Sequence, residues 1–244
     1  MSDRLLIDAG NTRVKWALLS EQSTWLAQGA AVYAALAELP RAAAPDRRVF
    51  VASVASAEQE TRLLEALGGT REAVQWLTSV PAAGGVVNGY DAPARLGVDR
   101  WLGLVAARQR TAGATLVVSA GTALVVDALD ADGRFLGGTI QPGLALGRRA
   151  LEQGLAHLPA TRGRVVEFPC NTADAVESGT VRALCASIEQ GHARLCAHAA
   201  GPVQCLLTGG DAPALMPFLS LPCEHVPALV LEGMDVLTSG NLTP

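Results

Sequence analysis

The chain begins with two short apolar runs on either side of a small polar turn. Residues 5–7 (Leu-Leu-Ile) lead into residues 8–12 (Asp-Ala-Gly-Asn-Thr), and a second apolar run occupies residues 14–19. Strand-length runs around such a turn predict a β-hairpin, in which Gly10 and Asn11 supply positive φ angles. A third strand is expected over residues 25–32, so the N-terminus predicts an antiparallel sheet.

Helices and a further strand follow in the first half of the chain. The pattern predicts a short helix over residues 34–39, a strand at 49–51, and a helix over 58–67 that ends at Gly68 and Gly69. Residues 78–98 are rich in Gly, Ala, Pro and Asn and predict a loop that covers a site. Helical periodicity resumes from Asp99 to Arg110.

The opening pattern returns near the middle of the chain. An apolar run at 116–118 leads into residues 119–123 (Ser-Ala-Gly-Thr-Ala), and residues 130–133 (Asp-Ala-Asp-Gly) predict another hairpin turn before a strand at 134–140. The repeat indicates an internal duplication into two lobes, residues 1–112 and 113–244. The alternative is that two unrelated hairpins look the same.

Helices dominate the remainder of the chain. A long helix is expected to begin with Asn171 or Thr172 as its N-cap and to run past Leu195. A strand at 204–207 then enters residues 208–211 (Thr-Gly-Gly-Asp), and a helix follows over 229–237. Strands that alternate with helices predict an α/β fold with mixed sheets.

Composition and charge argue against a nucleic-acid-binding, membrane or disulfide-rich protein. The chain is 50% hydrophobic, with a net charge of −4 and a pI near 5.6, which argues against a nucleic-acid or anionic-membrane partner. No apolar run has the length of a membrane span, and the N-terminus lacks the pattern of a signal peptide. The five cysteines form no CxxC pair, a spacing that suits neither a disulfide framework nor a zinc site and fits reduced thiols in the cytoplasm.

The two hairpin turns are the candidate phosphate-binding elements. The sequence contains neither GxxxxGK[ST] nor GxGxxG after a strand, so a P-loop or Rossmann nucleotide site is not expected. A hairpin turn can instead cradle phosphate with its backbone N–H groups. Asp8 could orient Mg²⁺ through water, and Lys15, the only lysine, could offset phosphate charge. For either turn alone, the alternative is that its Gly, Asp and Asn serve only the geometry of the turn.

Five motifs occur in an order that resembles type III pantothenate kinases, members of the actin-like superfamily that includes sugar kinases. The motifs are DAGNTRVK at 8–15, GVDRW at 97–101, SAGTALVVD at 119–127, GGTIQPG at 137–143 and LTGGD at 207–211. They span nearly the whole chain, and a tyrosine (Tyr90) a few residues before GVDRW is typical of the family. The resemblance implies two actin-like (ribonuclease H-like) lobes, with mixed β-sheets flanked by helices and the ATP site in the cleft.

The resemblance also implies the roles of single residues. Those similar to the ATP-binding residues are Asp8, Ala9, Gly10, Asn11, Thr12, Arg13, Val14 and Lys15 in the first turn, and Gly121 and Thr122 in the second. Those similar to the pantothenate-binding residues are Tyr90, Gly97, Val98, Asp99, Arg100 and Thr172. Asp99 resembles the catalytic base, and Thr172 resembles a residue that reaches pantothenate at the interface of a homodimer. The implied cofactors are Mg²⁺ with ATP and a monovalent cation, K⁺ or NH₄⁺.

Elementary chemistry agrees with a catalytic role for Asp99. A primary hydroxyl that attacks a phosphoryl group loses a proton, which a fixed carboxylate can accept, and Arg100 offers the fork that a carboxylate substrate requires. The alternatives are a helix N-cap for Asp99, a helix-face position for Arg100, a half-buried loop aromatic for Tyr90 and a capping role for Thr172. Asp127 either orients a metal-bound water or ends a strand.

Ser119 departs from the family pattern. Many members carry Asp at this position, and that Asp binds the monovalent cation. A hydroxyl is a poorer ligand for a hard cation than a carboxylate. We therefore expect this chain to depend weakly on K⁺ or NH₄⁺.

The function favoured by the sequence is ATP-dependent phosphorylation of pantothenate to 4′-phosphopantothenate, the first step of coenzyme A biosynthesis. One alternative is a kinase for another small hydroxyl substrate, against which the motif GVDRW argues. The other is a non-catalytic nucleotide-binding regulatory protein of the same fold. Four residues favour an active enzyme instead: Asp8, Lys15, Asp99 and Arg100. A protein that only binds nucleotide needs no base.

Overall fold

Two five-stranded sheets account for the repeated hydrophobic pattern. The computed structural model describes residues 3–40, 47–155 and 162–239. The strands of the first sheet are β1 Arg4–Ala9, β2 Arg13–Leu19, β3 Trp25–Val32, β4 Arg48–Ser53 and β5 Gln75–Trp76, and a short separate pair consists of β6 Ala82–Ala83 and β7 Val86–Val87. The strands of the second sheet are β8 Ala114–Ala120, β9 Ala123–Leu129, β10 Phe135–Pro142, β11 Val203–Thr208 and β12 Glu224–His225.

The two sheets share both strand order and strand direction. The orders are β3-β2-β1-β4-β5 and β10-β9-β8-β11-β12. In each sheet the first three strands of the chain form an antiparallel meander, and the fourth and fifth strands add in parallel. The prediction of an α/β fold with mixed sheets is confirmed, and the shared topology is what an internal duplication produces.

Helices fill the connections that parallel strands require. Those associated with the first sheet are α1 Ala57–Leu67, α2 Val98–Arg110 and α6 Leu229–Thr238, and those associated with the second are α3 Leu144–Gly154, α4 Thr172–His198 and α5 Ala212–Leu215. The helix predicted over 34–39 is a 3₁₀ segment, Tyr33–Glu38, which is interrupted by non-helical backbone at Ala35. Helix α1 ends as its sequence predicts, because Gly68 adopts a left-handed conformation after Leu67.

An apolar core packs against each five-stranded sheet in the ranges that the structure describes. The first includes Leu5, Ile7, Val51, Leu63 and Leu67, and the second includes Leu116, Val118, Leu124, Ile188 and Leu207. Alternate residues of the central strands enter these cores, as the period of two in a strand requires. Among the described residues, no helix is both long enough and apolar enough to cross a lipid bilayer.

The contacts divide the chain into two units that are not continuous in sequence. The first consists of Met1–Arg110 and Ala228–Pro244, and the second is Thr111–Pro227. Helix α6 contacts β1 and α2, and the guanidinium of Arg4 lies 2.7 Å from a carboxylate oxygen of Asp235. The sequence boundary at residue 112 assigns residues 228–244 to the second lobe, whereas these contacts group them with the first unit.

Candidate active site

The first hairpin turn connects β1 to β2. Asp8 is opposite Lys15 in the strand register, and the Gly10 N–H group donates to the carbonyl of Arg13 at 3.1 Å. Neither Gly10 nor Asn11 has a positive φ angle, so that prediction is wrong. A Cβ atom at position 10 would lie 3.3 Å from the Arg13 carbonyl oxygen, which makes close backbone approach the reason for glycine here.

Two side chains outside the motif hold the carbonyl groups of this turn. The Tyr33 hydroxyl donates to the Gly10 carbonyl at 2.8 Å, and Nε2 of Gln59 donates to the Asn11 carbonyl at 2.8 Å. Burial, with the nearby charge of Asp8, raises the pKa of Tyr33 to about 12, so its hydroxyl keeps its proton. The capping box of Ser56 and Gln59 is readable from the sequence, but the contacts of Tyr33 and Gln59 with the turn are not.

Asp8 is a carboxylate with few compensating interactions. It keeps some solvent exposure, yet the protein around it removes most of its hydration. Burial raises the pKa of Asp8 to about 7, against the lowering effect of Lys15 and with a further increase from Asp99. The repulsion between Asp8 and Asp99 shows that the two predicted site carboxylates lie near one another.

Asp99 is the second residue of α2, which begins at Val98. It is therefore not at the N-cap position, although one of its carboxylate oxygens accepts the Arg100 N–H group at 2.8 Å. Burial raises the pKa of Asp99, and this hydrogen bond and the Arg100 charge partly offset the increase. A Cβ atom at Gly97 would lie 2.7 Å from Oδ1 of Asp99, so a side chain there would displace the carboxylate.

Arg100 and Tyr90, both predicted to contact substrate, contact each other. Nη1 of Arg100 donates to the Tyr90 hydroxyl at 2.7 Å, and the guanidinium lies 5.4 Å from the centre of the Tyr90 ring. Arg100 is only 8% exposed, which excludes the alternative of a solvated helix-face arginine. A buried guanidinium whose orientation is fixed by a hydrogen bond to Tyr90 is suited to bind a carboxylate ligand.

A buried asparagine fixes the loop that carries Tyr90. Asn88 donates from Nδ2 to the carbonyl groups of Val80 and Pro93 and accepts the Tyr90 N–H group at 3.1 Å. The predicted loop at 78–98 thus contains β6, β7 and a 3₁₀ turn at Pro93–Arg95. Sequence reasoning missed Asn88, because an asparagine in a loop rich in Gly, Ala and Pro looks like turn composition.

The second hairpin turn, between β8 and β9, is held by two glycine-containing segments. The Gly143 N–H group donates to the Thr122 carbonyl at 3.0 Å, and a Cβ atom at Gly143 would lie 2.0 Å from the Gly121 carbonyl oxygen. Gly209, with φ +98°, approaches Ala120 so closely that its Cβ atom would lie 2.1 Å from that carbonyl oxygen. The motifs GGTIQPG and LTGGD therefore supply the close backbone packing that shapes this turn.

Three further predicted residues lie in the second unit. Ser119 is at the position in β8 that corresponds to Asp8 in β1 and pairs with Val125 and Thr208. Asp127 is 2% exposed and lies within β9, which continues to Leu129, so the proposal that it ends a strand is wrong. Thr172 is exposed at the first residue of α4.

The N-cap of α4 is Asn171. The side chain of Asn171 accepts the Asp174 N–H group at 2.9 Å, and Asn171 itself precedes the helix. The alternative that Thr172 is the capping residue is therefore wrong. Its hydroxyl is an exposed group at a helix N-terminus.

The first unit alone brings together five predicted site residues. They are Asp8, Lys15, Tyr90, Asp99 and Arg100. Within the described part of the chain, no three His, Cys, Asp or Glu side chains are grouped so that they could hold a metal ion. A divalent ion at Asp8 would thus need ligands from a substrate, as Mg²⁺ obtains from nucleotide phosphates.

Solved structures resemble the chain along nearly its full length. A conserved Baf family protein from Campylobacter jejuni has a TM-score of 0.63 at 20% identity and covers 97% of this chain and 98% of its own. A protein from Sinorhizobium meliloti described as a 2-dehydro-3-deoxygalactonokinase has a TM-score of 0.55 at 13% identity, with 97% of each chain covered. At these identities the likeness concerns the fold alone.

Relatives found by sequence identify the family more specifically than the solved structures do. A type III pantothenate kinase of Thiobacillus denitrificans is 49% identical over 232 residues, which is 95% of each chain. One of Aromatoleum aromaticum is 46% identical over 236 residues, which is 96% of each chain. The family model of type III pantothenate kinases matches residues 4–194. The motifs grouped around Asp8, Asp99 and Arg100 therefore lie in a chain that belongs to the type III pantothenate kinase family.

Proposed function

We propose that this protein transfers the γ-phosphoryl group of ATP to the primary hydroxyl of pantothenate. The observation that carries the proposal is the surroundings of Asp99, a carboxylate with a raised pKa, next to a buried Arg100 and near Asp8. A base, a fork for the substrate carboxylate and a phosphate-binding turn thus belong to one unit. This combination suits phosphoryl transfer to a small hydroxy acid.

Asp99 acts as the general base in the proposed reaction. A bond forms between the pantothenate hydroxyl oxygen and Pγ while the bond between Pγ and the bridging oxygen breaks, and its electron pair leaves with ADP. The hydroxyl proton passes to the Asp99 carboxylate and then to solvent. Because burial raises the pKa of Asp99, the carboxylate is a stronger base than an exposed aspartate.

Arg100 and Tyr90 orient pantothenate. The Arg100 guanidinium binds the substrate carboxylate, and the hydrogen bond from Arg100 to the Tyr90 hydroxyl keeps the guanidinium in one direction. Orientation of this kind lowers the entropic cost of bringing the hydroxyl to Pγ. Gly97 and Val98, at the start of α2, line the pantothenate site beside Asp99.

The turn at residues 8–15 binds the phosphates of ATP. Mg²⁺ fits Asp8 chemically, because the charge of Lys15 does not offset the effect of burial on this carboxylate and because Mg²⁺ keeps waters and needs few protein ligands. When bound, the ion neutralises phosphate charge. Asp8 would hold it through water, and Lys15 would add a fixed positive charge near the same phosphates.

A homodimer in the cytoplasm is part of the proposal. Thr172 is exposed and has no capping role, so its hydroxyl is suited to a site completed by a second subunit. Phe168, four residues earlier, is 82% exposed, an exposure that contact with a partner would remove. All five cysteines are free thiols, as a reducing compartment favours.

Coupled ADP release in the presence of pantothenate and Mg²⁺, with and without K⁺, tests the function. We expect ADP formation that depends on pantothenate and a product whose mass equals pantothenate plus one phosphoryl group. A panel of other small hydroxy acids and alcohols separates this activity from a kinase of different substrate. Nucleotide binding without ADP release, under conditions in which the folded protein is verified, would contradict the proposal and favour a regulatory protein.

A further inference from the structure

Two of the five cysteines are neighbours in the second sheet, although they are distant in sequence. Cys205 lies in β11, and Cys223 directly precedes β12. The register of these parallel strands pairs Leu206 with Glu224, so Cys205 and Cys223 occupy the preceding, adjacent positions. Their Sγ atoms are 3.0 Å apart. The sequence spacing gave no indication of this pair.

We propose that Cys205 and Cys223 are a reversible thiol–disulfide pair, which small-molecule disulfides such as oxidised glutathione convert to an intrachain disulfide. Adjacent strands are about 4.8 Å apart, which is within the Cα separation of about 4.4–6.8 Å that disulfides adopt. The two sulfur atoms need to approach by only about 1 Å to reach bonding distance. Rotation of the two side chains supplies that movement.

Exposure and hydrogen bonding assign different roles to the two thiols. Cys205 is 4% exposed, whereas Cys223 is half-buried and can be reached from solvent. The hydrogen bond between the two thiols lowers the pKa of Cys223, and the same interaction, with burial, raises the pKa of Cys205. Cys223 is thus the attacking thiolate and Cys205 the resolving thiol.

The oxidation proceeds in two exchange steps. The Cys223 thiolate attacks one sulfur of oxidised glutathione, which forms a mixed disulfide and releases one glutathione thiolate. Cys205 then gives its proton to solvent and its sulfur attacks Sγ of Cys223, so that a second glutathione thiolate leaves. The two protein thiols are oxidised and one glutathione disulfide is reduced to two thiols.

The crosslink would close a loop that contains α5 and the turn at residues 208–211. Strand β12 has only two residues and pairs with β11 alone, so a covalent bond would fasten the weakest edge of the sheet. Because the turn at residues 208–211 already packs closely on Ala120, closing the loop leaves its backbone where it is. We expect greater stability with unchanged turnover.

Intact-mass analysis after alkylation tests the pair directly. The full-length protein is incubated with oxidised or reduced glutathione, and free thiols are blocked with N-ethylmaleimide under denaturing conditions. The reduced protein should carry an adduct on each of its five cysteines, and the oxidised protein should lack two of them without added glutathione mass. The oxidised form should melt about 5 °C higher, and dithiothreitol should reverse the increase.

Peptide mapping identifies the bond. No Lys or Arg follows Arg194, so trypsin alone leaves Cys196, Cys205 and Cys223 in one peptide, and Asp-N is needed to cleave before Asp211. The matched control is Cys196→Ser, which removes an exposed thiol and should preserve the crosslink. Cys223→Ala and, independently, Cys205→Ala should abolish it. Five alkylated cysteines after oxidation, or glutathione adducts on Cys170 or Cys196 alone, would overturn the proposal.

Discussion

Asp99 and Asp8 are carboxylates that the fold keeps poorly hydrated at some cost to its own stability. Burial is the largest cause of the raised pKa of each, and neither has a charged partner that cancels it. Groups with such perturbed pKa values concentrate at functional sites. At the residue scale, the consequences of these two carboxylates can be measured separately.

Asp99→Asn should abolish phosphoryl transfer and leave ATP binding nearly intact. An amide cannot accept the hydroxyl proton, and loss of a general base costs about 10²–10⁴-fold in rate. Turnover is measured by ADP release, and ATP affinity by calorimetry on the same preparation. Asp132→Asn, in the exposed β9–β10 turn, is the control. Near-normal turnover in the Asp99 variant would contradict the role of general base. Asp99 would then have only a structural role, as the acceptor of the Arg100 N–H group.

Asp8→Asn should stabilise the nucleotide-free and metal-free protein at neutral pH. The pKa of Asp8 rises from 3.8 to about 7 on folding, so the folded state binds this proton more tightly and loses stability as pH rises from about 4 to about 7. The amide does not ionise, so the variant avoids that loss of stability. We expect its free energy of unfolding near pH 8 to be about 2 kcal/mol higher, a gain that is limited because Lys15 loses the carboxylate it faces.

Urea unfolding in EDTA at several pH values measures this gain. The difference between Asp8→Asn and the unmodified protein should shrink as the pH is lowered towards 4, because both forms are then neutral at this position. The variant should also lose Mg²⁺-dependent activity. A difference in stability that does not change with pH would show that Asp8 ionises normally.

Ser119 gives a prediction about the monovalent cation. It corresponds in register to Asp8, but it carries a hydroxyl, which binds a hard cation less well than a carboxylate. We expect K⁺ or NH₄⁺ to stimulate turnover only weakly, and Ser119→Asp to strengthen the dependence. Titration of KCl at constant ionic strength measures both. A sharp, saturable requirement in the unmodified protein would contradict this interpretation.

At the scale of elements, the first turn depends on contacts that its own motif does not contain. Tyr33 belongs to the 3₁₀ segment after β3 and holds the Gly10 carbonyl with its hydroxyl. Gln59 holds the Asn11 carbonyl from α1. Both side chains hold carbonyl groups of the turn, and because a peptide unit is planar, the N–H groups of the same units are fixed in orientation.

Tyr33→Phe should raise KM for ATP about threefold to tenfold with little change in kcat, because one neutral hydrogen bond is lost from the turn. The only other tyrosine provides a matched comparison. Tyr90→Phe removes a hydroxyl that contacts Arg100, and it should raise KM for pantothenate instead. Steady-state kinetics with each substrate varied in turn tests the pair. Equal effects on both KM values in both variants would contradict separate roles.

The sequence predicts the central strands well, because each is a run of alternating or continuous apolar residues bounded by turn residues. The predicted third strand coincides with β3, and the hairpin at residues 130–133 has Gly133 at φ +84°. Strands β5 and β12 have two residues each, too few to show a period. Their pairing depends on neighbours that are far away in sequence.

The candidate site is predictable as far as its motifs extend. Asp8, Lys15, Asp99 and Arg100 are visible in short ordered motifs. The contact between Arg100 and Tyr90, and the anchoring of Tyr90 by Asn88, connect a helix to a loop through side-chain hydrogen bonds. A linear pattern contains no record of such contacts, and it also gave the wrong reason for Gly10.

At the scale of the whole molecule, the proposed dimer predicts complementation between inactive chains. Suppose each subunit contributes Asp99 to its own site and Thr172 to the site of the other subunit. A mixed dimer of Asp99→Asn and Thr172→Arg chains then has one site with both lesions and one with neither. Mixing the two variants should restore activity that neither has alone.

Subunit exchange must be verified in that experiment, for example with one affinity-tagged chain and light scattering of the purified mixture. Mixing Asp99→Asn with Asp99→Asn chains that differ only in the tag is the control. If mixed dimers form and no activity returns, every site retains a lesion, and Thr172 belongs to the same subunit's site or to none.

The first unit consists of two segments that are separated in sequence by the whole second unit, and this order affects folding during synthesis. Arg4 is 3% exposed, and its partners Asp235 and Thr238 lie in α6, which is translated after all of the second unit. A growing chain can therefore complete residues 111–227 while β1 still lacks α6. Until then Arg4 lacks the carboxylate of Asp235, although Ser23 accepts one of its N–H groups. The nascent first unit therefore exposes the face of β1 that α6 later covers, which favours binding by a chaperone.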